Sequence, residues 1–117
     1  MTEPSASATT RVKIEPAQTF PLAPLVDYQP GAIVSREILK GPAGRVTVFA
    51  FDAGEELSEH TSPYDALVQV VEGEAEITIA RKPHLVRAGE AIVMPAQQPH
   101  ALSALKRFKM VLTMIRA

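Results

Sequence analysis

The sequence predicts an all-β protein, an antiparallel sandwich or barrel of short strands. Three observations carry that expectation. Runs rich in β-branched and aromatic residues alternate with glycine and proline turn signals from residue 32 onward. Within 74–80 the alternation is strict, with Ala75, Ile77 and Ile79 on one face and Glu74, Glu76 and Thr78 on the other, the mark of a half-buried strand. Finally, Pro16, Pro21, Pro24 and Pro30 fall between Val12 and Gly31, and each removes a backbone donor. That segment can therefore supply at most edge strands or an extended arm.

Taken in order, the first strand is expected over 32–40, closed by Gly41-Pro42 and Gly44. The second, 45–52 (RVTVFAFD), ends at Gly54. Residues 64–71 (YDALVQVV) run into Glu72-Gly73, read as a tight turn leading into the alternating strand 74–80. Residues 84–86 end at Ala88-Gly89, and the apolar run Ala91–Met94 is stopped by Pro95. The carboxyl end allows two readings. Ala101, Leu105, Phe108, Leu112 and Ile115 recur at helical spacing, whereas residues 110–115 are apolar or small on both faces of a strand. Two strands, 101–105 and Phe108–Ile115, are preferred because a terminal helix would leave a sheet edge unpaired.

A chain of 117 residues is one domain, here 12–117 with its proline-rich arm. Residues 1–11 are small and polar, lack the apolar stretch of a secretory signal, and read as a disordered tail. Lys plus Arg number 12 against 13 Asp plus Glu, with no basic stripe, so a nucleic-acid partner is not expected. The absence of cysteine removes disulfides, thiol catalysis and cysteine-based zinc sites, and fits a reducing cytoplasm. No apolar run approaches the roughly 18 residues of a membrane span. Small domains bury a modest share of their surface, which makes a homodimer the expected state.

Two blocks carry chemistry. Residues 54–73, GEELSEHTSPYDALVQVVEG, resemble the first motif of the cupins, G-x5-H-x-H-x3-E-x6-G, with both glycines and the first histidine, His60, in register. Residues 89–104, GEAIVMPAQQPHALSA, resemble the second, G-x5-P-x-G-x2-H-x3-N, keeping Gly89, Pro95 and His100. The likeness implies a small single-domain cupin of the RmlC-like superfamily, an antiparallel jelly-roll β-barrel. In that family the motif histidines and glutamate converge on a divalent metal inside the barrel.

This chain departs from the pattern at the ligands themselves. Ser62 stands at the second histidine position, Ala66 at the glutamate, and Gln97 at the glycine of the second motif. Strand parity places residues 60 and 62 on one face and Asp65 on the face opposite 66, 68 and 70. Metal sites usually draw three or more protein ligands, so His60 and His100 alone form an incomplete set. They admit three roles: lining a pocket, holding a divalent metal (Zn, Fe, Mn or Ni) that the substrate helps to coordinate, or acid–base work without a metal. His84 reads as a surface residue in a turn-rich stretch. The expectation is a small-molecule-binding barrel whose pocket is lined by His60, Ser62, Val68, Val70, Ile92, Met94 and His100, with or without a weakly held metal. The alternative is a metal-dependent oxygenase or isomerase using the two histidines.

Overall fold

The structure, a computed structural model, describes residues 12–116. The expected disordered tail, 1–11, lies outside the described residues. Among the described residues, eight strands follow a short 3-10 turn, Ala23–Leu25: β1 Ile33–Gly41, β2 Gly44–Phe51, β3 Glu56–His60, β4 Asp65–Ile79, β5 Lys82–Arg87, β6 Ala91–Met94, β7 His100–Ser103 and β8 Phe108–Ile115. All pairings are antiparallel, and the strand order is β1-β2-β8-β4-β7-β3, with β5 and β6 also paired to β4. The helical reading of the carboxyl end fails because β8 is wedged between β2 and β4, whose backbone groups need its ladder.

The turn expected at Glu72-Gly73 is instead the middle of one long strand. From Asp65 to Gly73, β4 pairs with β8 and β6; from Glu74 to Ile79 it pairs with β5 and β7. A bulge between Val70 and Glu72 bends the strand there, which is how a chain passes from one packed sheet to the other. Gly73 is required at the corner. Its φ is +76°, and a Cβ would overlap the carbonyl oxygen of Arg107. A glycine after a β-rich run signals a turn in sequence, but only the partners on both sides show that pairing continues through it.

Pairing places the inner face of the first sheet in rows. Arg45, Met114, Ala66 and Met94 form one, Thr47, Leu112, Val68 and Ile92 the next, then Phe49, Met110 and Val70, and last Phe51 with Phe108. The final pair stacks with ring centroids 4.5 Å apart. From the second sheet Ala75, Ile77, Val86, Leu102 and Ala104 complete this core. Pro83 is tolerated in β5 because that strand pairs only with β4.

The proline-rich arm forms no strand, yet it is part of the fold. Leu25 and Val26 are fully buried against Val48, Ala50 and Val111 on the outer face of the first sheet. Polar contacts hold it down. The buried Lys109 ammonium donates to the Ala23 carbonyl at 2.9 Å, and the Tyr28 hydroxyl donates to the Glu72 carboxylate at 2.6 Å. The Arg107 guanidinium lies 4.3 Å from the Tyr28 ring centre. Burial, together with the Glu72 carboxylate, pushes the Tyr28 phenol well above its ordinary pKa, so it remains a donor.

If the arm is structural, Leu25→Ala costs about 2–5 kcal/mol, the range for emptying a buried leucine site. Urea denaturation checks this, and an unchanged midpoint would show that the arm contributes nothing.

Candidate functional site

The two motif histidines meet at one end of the barrel. His60 ends β3 and His100 begins β7, and they are direct cross-strand partners. Simple alternation would not achieve this. Leu57 pairs with Leu102 and faces the core, so His60, three residues on, would face outward. A bulge between Leu57 and His60 absorbs the extra residue and returns His60 to the inner face beside His100.

Hydrogen bonds then fix both rings. His60 Nδ1 lies 2.8 Å from the Ser58 carbonyl oxygen, and His100 Nδ1 lies 3.1 Å from that of Gln98. A carbonyl oxygen only accepts, so each Nδ1 carries a proton, and whenever its ring is neutral the lone pair lies at Nε2. The two Nε2 atoms stand 3.1 Å apart, with the rings at 71°. Burial lowers the pKa of His100, and the neighbouring His60 lowers it further against the opposing pull of the Gln98 carbonyl. His100 is only 6% exposed, while His60 is open to solvent. The result is a pair of imidazole nitrogens aimed at one point, reachable from the His60 side.

The other expected pocket residues divide. Met94 is buried one row below the mouth, beside Ala66 and Met114. Ile92 is half-buried in the next row. Val68 and Val70 are 0% and 2% exposed and belong to the packed core, because Phe49, Met110 and Leu112 fill the space around them. They offer no surface to a ligand. Ser62 lies beyond the end of β3, so strand parity does not govern it. Its hydroxyl accepts from the Tyr64 amide at 3.1 Å, and its carbonyl accepts from the Gln97 amide at 2.8 Å. It shapes the loop beside the histidines.

Asp65 points away from the core, and its carboxylate accepts from the Ala96 amide at 2.8 Å, pinning the second motif's loop to the start of β4. His84 is exposed, but it sits in β5 rather than a turn and pairs opposite Ile77, at the open seam between β5 and β6. Gln97 has a φ of +68°, so it takes the left-handed conformation for which glycine is best suited.

The donor set can be tested against a metal. Two imidazole nitrogens bound to one late first-row cation at about 2.0–2.1 Å each stand about 2.9–3.4 Å apart as neighbouring ligands. The observed 3.1 Å falls within that interval. Two facing lone pairs at this distance repel unless a proton or a cation lies before them, so the arrangement suits an electrophile. Among the described residues, however, no cluster of three or more His, Cys, Asp or Glu side chains could hold a metal. The pair fits a cation held by two nitrogens, with the remaining positions left to water or ligand.

A small antiparallel barrel filled by its own core, with an imidazole pair at one end, defines a jelly-roll barrel. The chain belongs to the cupin family: the Cupin domain model matches residues 47–116. A conserved protein of unknown function from Streptococcus pyogenes is 36% identical, with 91% of this chain and 94% of that chain covered and a TM-score of 0.84. A cupin 2 conserved barrel domain protein from Leptotrichia buccalis is 41% identical over 81% of this chain and 46% of that chain, at a TM-score of 0.79. A cupin superfamily protein from Desulfitobacterium hafniense is 27% identical over 92% and 99% of the two chains, at 0.83. No curated protein matches the chain. No helix among the described residues is long and apolar enough to cross a membrane.

At Gln97 the strained backbone makes a prediction about sign. Gln97→Gly is neutral or stabilising, whereas Gln97→Val, β-branched at positive φ, costs about 1–3 kcal/mol. Thermal denaturation of the two variants distinguishes them, and equal melting temperatures would show that the loop carries no strain.

Proposed function

We propose that this cupin binds a small molecule at the barrel mouth, anchored by the Nε2 atoms of His60 and His100 with a weakly held divalent cation shared between them. The observation that carries the reading is the pair of Nε2 atoms 3.1 Å apart, turned towards each other by the Nδ1 hydrogen bonds of both rings. A cation held there would supply a Lewis-acidic anchor for a ligand oxygen or nitrogen. His100, kept neutral by burial, holds its lone pair ready, and the exposed His60 forms the accessible side. Met94 and Ile92 give the apolar floor. The role is one of sensing or sequestration in the cytoplasm. The oxygenase or isomerase reading asks for a ligand set in which Ser62 and Ala66 were His and Glu, and the pair falls short of it.

Added Zn²⁺ or Ni²⁺ is expected to bind at one ion per chain with micromolar or weaker affinity. That binding is lost in His60→Ala and in His100→Ala, as equilibrium dialysis with elemental analysis would show. Binding unchanged in both variants, or absent at every concentration, overturns the reading. A thermal-shift screen of small organic acids, sugars and aromatics addresses the ligand. A compound at a hundred times its Kd adds about 2.7 kcal/mol of stability.

We propose a homodimer contact on the outer face of the first sheet, outside the rows of Val48 and Ala50 against which Leu25 and Val26 pack. Leu39, Val46, Thr113, Leu67 and Val93 form a continuous cross-strand row there, with Leu39 67% and Val93 57% exposed. Sedimentation is expected to show a dimer, and a monomer at high concentration would refute the contact.

A further inference from the structure

The mouth carries a second group of residues that the histidine reading does not use. Along β2 the inner face runs Phe51, Phe49 and Thr47, all facing the core, and then ends in Arg45. Lys40 is the direct cross-strand partner of Arg45, so both cations stand on the interior side of the sheet where it opens to solvent. Arg116 follows the last strand, and its backbone amide is tied to the Ala43 carbonyl at 2.8 Å. Its guanidinium donates to the Tyr64 hydroxyl at 3.2 Å and lies 5.7 Å from that ring's centre. Lys40, Arg45, Tyr64, Arg116 and Met114 line one cavity of about 190 Å³.

The charge lining this cavity is positive. No carboxylate lines it, and among the described residues neither Lys40 nor Arg45 has an ion-pair partner. Glu37, the cross-strand partner of Thr47, is the acid one row in on the same face; Asp65 accepts from the Ala96 amide, and Glu59 pairs with Arg81 at 3.7 Å. The positive field shows in Tyr64. The hydrogen bond from Arg116, then the charges of Arg116 and Arg45, draw its phenol below the ordinary value. Cations gathered in a concave site with low-dielectric walls focus the potential and raise the local concentration of anions. Guanidinium groups present paired N–H donors that match carboxylate and phosphate oxygens.

We propose that Arg45, Lys40 and Arg116, with the Tyr64 hydroxyl, form an oxyanion subsite that selects ligands bearing a carboxylate or phosphate. It rests on the reading of this end of the barrel as the binding mouth, because the subsite and the histidine pair open at the same end. His60 and His100 lie at the ends of β3 and β7, and the loop from His60 through Ser62 leads straight to Tyr64. Met114, in the same inner row as Arg45, gives the ligand's carbon skeleton an apolar surface beside the cations.

The test is an NMR titration of the metal-free, full-length protein with inorganic phosphate and, separately, with benzoate, against sodium chloride at matched ionic strength. Saturable shifts are expected at the amides of Gly41, Gly44, Tyr64 and Arg116 with phosphate or benzoate and not with chloride. Arg45→Gln combined with Arg116→Gln weakens that binding at least about tenfold, and Tyr64→Phe weakens it less. Retained amide dispersion shows that these surface variants are folded. Shifts that never saturate, or a double variant that binds as tightly as the parent, overturn the subsite. His60→Ala separates the two readings. It is expected to abolish metal binding while leaving the phosphate titration intact; metal binding that persists counts against the histidine site, and a phosphate response lost with it counts against a separate oxyanion subsite.

Discussion

One strand must serve two sheets, and the remaining structure is arranged around that requirement. Of its fifteen residues, β4 gives the first half to β6 and β8 and the second half to β5 and β7. Every backbone group on it needs a partner wherever it is buried, so the bend at Gly73 cannot interrupt the ladder. The bulge before the bend and the glycine at it satisfy both conditions. Since the two ends of β4 return to the same end of the barrel, Asp65 and Ile79 arrive near each other. Ile79 there pairs with His100, and Asp65 pins the loop that leads to it.

The histidine pair is a consequence of that geometry and of one more irregularity. Without the bulge in β3, His60 would face solvent and His100 would stand alone. With it, two rings oriented by main-chain carbonyls share one point of approach. The orienting groups are backbone atoms, which any residue at 58 or 98 would supply. The chemistry at the mouth is therefore resistant to sequence change around the histidines, although it depends on the loop conformations that present those carbonyls. Ala66 and Ser62 leave the pair with no carboxylate or third imidazole among the described residues, and positive charge from Arg45, Lys40 and Arg116 gathers at the same end. A site short of anionic ligands and rimmed by cations is suited to an anion supplied from outside.

The arm shows a different division of labour. Its prolines keep it out of every ladder, and that same stiffness lets Leu25 and Val26 be set against the sheet at a small cost in chain entropy. The buried Lys109, and Tyr28 through its bond to the exposed Glu72 carboxylate, fix it in place. The face it covers carries Val48, Ala50 and Val111 together with the buried Lys109.

The sequence by itself determined the strand runs, the all-β class and the two histidines, because alternation, turn residues and motif spacing are local signals. Ala91–Met94 and Phe108–Ile115 could be placed to the residue, and the departures at Ser62, Ala66 and Gln97 were visible at once. What only the tertiary structure decided was every feature that depends on pairing between distant segments. Gly73 reads as a turn until partners appear on both sides of it. Parity put Ser62 beside His60, but the strand ends first, and parity would have turned His60 outward had the bulge not intervened. Val68 and Val70 have the right alternation for a pocket wall, yet they are fully packed in the core with Phe49, Met110 and Leu112 beside them. The cations of the mouth, at positions 40, 45 and 116, carry no motif at all. They meet because antiparallel register sets residues remote in the chain side by side, which alternation along one strand cannot reveal.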